Sequence, residues 1–268
     1  MKLTGERPME GATPDSLLAL HDAGYREVVA RLGEADTVLD VGCGVGDETA
    51  RLAGAGDRLV LGVDYDADTA VAAAAEWGPG GWRGGKVLFG GMDGARLGVR
   101  AGSFDAVCSS HIIEHFTGPE GHVAELARVL ADDGTAFVIT PNRPADFENP
   151  FHVYLFEKVQ LESLLRLFFH EVEVKGLEGD DALKADFAAR RQSGEKILRV
   201  DTFGLRHKIP RRMYVWSYER ALPVVYRFLG RDQSGIGSGL DQSHLYLTDE
   251  IDDTTPVLFA TARRPRRY

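Results

Sequence analysis

The sequence predicts an α/β protein whose core is a parallel sheet with helices on both faces. Three observations carry this expectation. From Thr37 to Leu177 short β-branched runs alternate with helical stretches, the pattern of strand–helix–strand units whose crossovers leave successive strands parallel. The first run, TVLDV, breaks into a turn with three glycines in five positions and then a helical pattern. After a long interruption a last β-branched run, TPVLFATARR, restores the strand series near the C-terminus.

In order, TVLDV reads as a strand, DETARLAGA as a helix, RLVLGVD as a strand and ADTAVAAAAEW as an Ala-rich helix. KVLFG and SFDAVCSS are further strands, GPEGHVAELARVLA a helix, GTAFVIT a strand, EKVQLESLLRLFF a helix and EVEVKGL a strand. The glycine-rich WGPGGWRGG between Trp77 and Gly85 is a surface loop. Four regions are expected: residues 1–36, carrying the helical pattern SLLALHDAGYREVVARL; a core over 37–177; an inserted, mainly helical region over 178–253; and 254–268, the last strand with a basic tail, RRPRRY, that should fray.

Composition narrows the function class. A chain of 268 residues that is 44% hydrophobic and 27% charged can bury a full core, forming one domain with an elaboration. No apolar run approaches the roughly 20 residues that span a bilayer, and the N-terminus lacks the apolar stretch of a secretory signal. The reading is therefore no membrane partner and a cytoplasmic location. The two cysteines, Cys43 and Cys108, lie in apolar stretches and read as buried thiols. A net charge of −10 disfavours a general nucleic-acid binder. From Leu183 to Arg231, however, 12 Lys or Arg face 4 Asp or Glu, and FGLRHKIPRRMYVWSYERALPVVYRFLGR mixes Arg with Tyr and Trp. That segment reads as a substrate cap or homodimer interface with an anion-complementary feature; single-stranded nucleic acid is the alternative.

The glycine turn, Gly42-Cys43-Gly44-Val45-Gly46, does not match the dinucleotide spacing G-x-G-x-x-G, and Asp47 and Glu48 open the following helix. Those carboxylates oppose a pyrophosphate, so the expected ligand is a nucleoside carrying a cationic or zwitterionic group. Asp64, 20 residues past Gly44 at the end of the second strand, is placed to accept ribose hydroxyls. Met92-Asp93-Gly94 forms a third acidic site after the third strand.

With VLDVGCGVGDETARLA, GVDYD, GMDGARL, GSFDAVCSSHIIEHF, LADDGTAFVITPNR and NPFHVYLFE in this order, the chain resembles class I S-adenosylmethionine-dependent methyltransferases. The resemblance implies a Rossmann-like, seven-stranded sheet, mostly parallel with an antiparallel last strand, and S-adenosyl-L-methionine as cofactor. It places Asp40, Gly42, Gly44 and Gly46 around the methionine moiety, Asp64 and the adjoining Tyr65 at the ribose, and Asp93, flanked by Met92, at the adenine amino group. Ser109 and His111 would close over the sulfonium. The N-terminal region resembles a lid of this group, and His21 and Tyr25, four apart on its helix, are spaced to reach the site.

SSHIIEHF follows the fourth strand, where the carboxyl ends of the strands form a ligand crevice. On a helix His111, Glu114 and His115 share one side and are the candidate catalytic residues. H-x-x-E-H is also the inverted zinc-protease motif, but a strand end in a nucleoside-binding fold is the wrong context for it. A subset of the resembled family binds a divalent metal through E-x-x-E-H and a later histidine. By that likeness His111, Glu114, His115 and His152 form a metal set in which His111 replaces the first Glu; its nitrogen content suits zinc or another transition metal. Without metal, His115 or His111 is the general base. The expected reaction is methyl transfer to a hydroxyl oxygen of a small molecule, a natural product or saccharide. N- or carboxyl-methylation, ribose 2′-O-methylation of RNA, and a cofactor-binding regulatory protein stand as alternatives.

Overall fold

The computed structural model describes residues 13–78, 86–146, 152–198 and 237–267. Eight strands form one sheet: β1 (Thr37–Val41), β2 (Leu59–Asp64), β3 (Lys86–Gly91), β4 (Phe104–Ser110), β5 (Leu130–Pro141), β6 (Phe169–Gly179), β7 (Leu245–Thr248) and β8 (Val257–Pro265). Their order is β3-β2-β1-β4-β5-β8-β6-β7. β1 pairs parallel with β2 and β4, β2 with β3 and β4 with β5, whereas β8 runs antiparallel between β5 and β6. The order reverses at β1, so the C-terminal ends of β1 and β4 flank the crevice where such sheets bind ligands.

Strand side chains alternate between two cores. Leu39, Val41, Val63, Val107, Ala136 and Val138 point to one face, covered by α4 (Pro119–Val129) and α5 (Lys158–Phe168). Val38, Val60, Ala106, Cys108, Phe137 and Ile139 point to the other. There they meet α1 (Asp15–Val29), α2 (Asp47–Gly54) and Leu183 of α6 (Asp181–Leu198), while α3 (Ala67–Trp77) packs on β2 and β3. Burial on both faces explains the continuous β-branched runs. Proline opens α4, supplying a preset φ where no N–H is needed. α5 starts with a capping box between Glu157 and Gln160.

The structure corrects two expectations. The strand count is eight rather than seven: LYLT, within the region expected to be a helical cap, pairs antiparallel with β6 as the edge strand β7. That region is helical over α6, and residues 199–236, with the Arg/Tyr/Trp segment and the cap or dimer reading placed on it, lie outside the described residues, as do residues 1–12 of the expected lid. The basic tail does not fray through Arg267, whose guanidinium donates to the Ala127 and Leu130 carbonyls and to Asp132. Cys43 and Cys108 are buried and free, as their apolar settings imply. Among the described residues no helix is long and apolar enough to cross a membrane.

Candidate cofactor and acceptor site

At the end of β1 the backbone turns through Gly42, Gly44 and Gly46, all at positive φ (82°, 52° and 88°). A Cβ at Gly42 would meet Ile112 Cδ1 at 2.1 Å, and one at Gly46 would meet the Phe89 ring at 2.8 Å. Around Gly44 a Cβ would find nothing within 4 Å, so this side of the turn opens onto space that a ligand can approach. Gly42 and Cys43 donate their N–H groups to Val63 O, tying the turn to β2.

Asp40 lies fully buried beneath the turn. Its Oδ1 accepts from Tyr25 OH at 2.9 Å and its Oδ2 from Thr49 Oγ1 at 2.6 Å. Burial raises its pKa to about 6, against the pull of these two donors. Tyr25, on α1, thus docks the N-terminal helix onto the strand that carries the turn. Glu48 in the first turn of α2 is pushed to about 10, by burial first and then by Asp22 of α1, so it is neutral at pH 7.

Asp64 at the end of β2 accepts from Gly44 N–H at 3.0 Å through Oδ2 and from Asp66 N–H at 2.9 Å through Oδ1. The next residue, Tyr65, is 83% exposed. The Met92–Gly94 loop follows β3. Met92 N–H donates to Asp64 O, and Asp93 Oδ1 accepts from Ala95 N–H. The three acidic positions therefore line the C-terminal ends of neighbouring parallel strands.

After β4 the chain does not enter a helix. His111 sits at φ 55° with its N–H donated to Ile139 O, and only Ile113–His115 make a 3-10 turn. The expected helical i, i+3, i+4 face is therefore replaced by a left-handed residue and a tight turn, because β5 holds the His111 backbone. Glu114 is fully buried. Its Oε2 accepts from Thr140 Oγ1 at 3.0 Å, and its Oε1 stands 3.5 Å from His111 Nδ1, beyond good hydrogen-bond length. Burial would raise its pKa, yet His111 and the fields of His115 and His152 hold it at about 2.

Glu114, His115 and His152 each present a ligand atom within 4.8 Å of the others. His152 Nδ1 pairs with Asp146 at 3.1 Å, and the His115 and His152 rings lie 5.5 Å apart. His111 does not share this cluster. Its ring packs 4.3 Å from that of His21 on α1, and burial together with His111 depresses the His21 pKa well below the usual imidazole value.

A methyltransferase-domain family model matches residues 39–138, from β1 through most of β5. A probable S-adenosylmethionine-dependent methyltransferase of Mycolicibacterium smegmatis is 31% identical over 180 residues, 65% of this chain and 66% of that protein. The chain belongs to the class I S-adenosylmethionine-dependent methyltransferase superfamily. A second member, an O-methyltransferase of Penicillium expansum, is 31% identical over 153 residues, 53% of this chain and 55% of its own length. The chain thus spans about half to two thirds of these relatives. The crystal structure of a [4+2]-cyclase shares the methyltransferase fold, with a TM-score of 0.56 at 18% identity, covering 96% of this chain and 85% of that one.

Within this superfamily fold, Asp40 lies near the end of β1 with the three glycines after it, Asp64 ends β2 with Tyr65 after it, Met92 and Asp93 follow β3, and Ser109 lies near the end of β4 with His111, Glu114 and His115 after it. His152 is joined to them because Val153 and Tyr154 donate their N–H groups to Glu114 O. Sequence reasoning missed Thr49, Thr140, Asp146 and His122. His122, buried on α4, accepts from Ser109 Oγ at 2.8 Å through Nε2, since its Nδ1–H donates to Gly94 O at 2.8 Å. The stretch H-V-A-E-L reads as an ordinary helix face, so no local signal marked it.

Proposed function

We propose that the chain is a methyltransferase that moves the methyl group of S-adenosylmethionine to a hydroxyl oxygen of a small molecule, with a divalent cation at the acceptor side. The observations that carry this reading are the open Gly44 turn after β1 and the Glu114, His115 and His152 cluster, whose Glu114 and His115 follow β4, the parallel neighbour of β1.

The residues fit the cofactor. Gly44 leaves room for a ligand against the backbone, and Asp40 offers a buried carboxylate toward a cationic amino group. Asp64, held by the Gly44 and Asp66 N–H groups at the end of β2, is placed to accept the ribose hydroxyls. Asp93, with Oδ1 fixed by Ala95, keeps Oδ2 for the adenine amino group. When bound, the cofactor supplies an electrophilic methyl group on sulfur. The residues also fit a cation: Glu114 Oε1 is buried without a hydrogen-bond partner, and one carboxylate with two imidazoles suits zinc or iron(II) better than magnesium. Such an ion, held by Glu114, His115 and His152, would supply Lewis acidity toward an acceptor oxygen.

The protein's own contribution is placement. The acceptor oxygen must approach in line with the methyl–sulfur bond, which orientation alone accelerates strongly. His111 Nε2, buried and without a hydrogen-bond partner, stands ready to accept the hydroxyl proton. The Penicillium relative's name supports oxygen as the nucleophile.

Incubating the protein with methyl-labelled S-adenosylmethionine and a panel of hydroxylated metabolites, before and after chelation with zinc, iron(II) or magnesium add-back, tests the reading. Label transfer to oxygen that falls at least tenfold on chelation and returns with one metal is the expected result. Transfer unaffected by chelator removes the cation, and transfer only to amines removes the hydroxyl acceptor.

A further inference from the structure

α4 grips the loop after β3 with three side chains spaced i, i+3 and i+6. His122 Nδ1–H donates to Gly94 O at 2.8 Å, Glu125 Oε2 accepts from Leu97 N–H at 2.6 Å, and Arg128 donates to Leu97 O and Val99 O at 2.8 and 2.9 Å. This spacing puts all three on one stripe of the helix. Only His122 reaches beyond the loop. Its Nε2 accepts the Ser109 hydroxyl proton at 2.8 Å, so one fully buried ring ties the Met92–Gly94 loop to the end of β4.

A carbonyl can only accept, so Nδ1 must carry the proton and Nε2 must be the acceptor: the ring is a fixed neutral tautomer. Burial keeps it so, lowering its pKa to about 4. Phe116 stacks on the ring at 4.6 Å and 13°, leaving it little freedom to turn. The loop is seated tightly against this pair: a Cβ at Gly94 would stand 3.2 Å from Phe116 and Val41 and 3.3 Å from His122 Nδ1. Because Gly94 is the residue immediately after Asp93, holding its carbonyl restrains the backbone that carries the Asp93 carboxylate.

We propose that His122 is a positioning residue for base recognition, holding Gly94 so that Asp93 reads the exocyclic amino group of the cofactor's purine. This rests on the reading of Asp93 as the adenine contact. A purine with an oxygen at that position presents an acceptor to a carboxylate and is rejected; a misplaced Asp93 would no longer reject it. The Ser109 hydroxyl donates to Nε2 of that tautomer and steadies the ring that donates to Gly94.

The test compares binding of S-adenosylhomocysteine with its inosine counterpart, by calorimetry, in the parent, in His122→Leu and in Ser109→Ala. The parent should prefer the adenosine form about tenfold or more, the range of a hydrogen bond to a charged group. In His122→Leu the preference should fall at least fivefold, through weaker adenosine binding and inosine binding that is unchanged or tighter. A loosened fold would weaken both ligands alike. If His122→Leu does not fold, Ser109→Ala, which removes only the hydroxyl, should show a smaller loss of preference in the same direction. A parent that binds both forms equally overturns the Asp93 reading and the inference with it. A parent that discriminates and variants that discriminate as well overturn the role of His122 alone.

Discussion

A methyl group added at Gly42 would lie 2.1 Å from Ile112 Cδ1 on a backbone at φ +82°, whereas one added at Gly44 would meet nothing within 4 Å. The two glycines are therefore required for different reasons. Gly42→Ala should destabilise the protein by about 1–3 kcal/mol, since it adds backbone strain to a displaced Ile112. Gly44→Ala costs only the left-handed conformation, about 1 kcal/mol, but its methyl occupies the open space proposed for the cofactor. Thermal unfolding should separate the variants by several degrees, and calorimetry with S-adenosylhomocysteine should show binding lost by more than tenfold in Gly44→Ala; unchanged binding there would place the ligand elsewhere. The positions of Asp64 and Asp93 at the ends of β2 and β3 were legible because a strand end and a fixed spacing announce them. Tyr25 was legible as a candidate through its helical spacing from His21. His122 and Asp146 were not, because a buried polar residue in an amphipathic helix or loop has no local pattern, only a partner far along the chain.

At the scale of elements, seven strands and the core helices could be read from periodicity, because both faces of the sheet are buried and the β-branched runs are unbroken. β7 was missed for the opposite reason: four residues at a sheet edge, with Tyr246 half exposed, carry too little apolar signal. The segment after β4 could be weighed as a helix because H-x-x-E-H has helical spacing, while the hydrogen bond from His111 to β5, a tertiary contact, overrides that spacing. α1 shows how an element enters the site through one side chain. Tyr25→Phe leaves the buried Asp40 Oδ1 without its donor, a loss of about 1–3 kcal/mol. A hydroxyl donor favours the ionised carboxylate, so the loss should be largest above pH 7 and shrink as pH falls through about 6, where Asp40 takes up a proton. Urea unfolding of parent and variant at pH 8 and pH 5 measures it, and an equal loss at both values would mean that α1 docks by packing alone.

For the molecule as a whole, two buried groups tilt stability in opposite directions on mild acidification. Asp40 has its pKa raised from 3.8 to about 6, so the folded protein holds the proton more tightly and gains stability as pH falls through that window. His122 has its pKa lowered from 6.5 to about 4, so the unfolded chain binds the proton more tightly and stability is lost as pH falls through nearly the same window. Each displacement is a little over two powers of ten in proton affinity, on the order of 3 kcal/mol. Acting alone, these two groups would leave stability nearly level between pH 6.5 and 4. Replacing His122 by Leu removes one side of that balance. The unfolding free energy of the parent minus that of His122→Leu should therefore fall by about 3 kcal/mol between pH 7 and pH 4, whatever the other carboxylates do, because they titrate in both proteins. Urea titrations at pH 7, 5.5 and 4 give the difference directly. A difference that stays constant with pH would show that the ring joining Gly94 to Ser109 is hydrated rather than sealed, and the rigid link from the base-reading loop to the end of β4 would lose its physical basis.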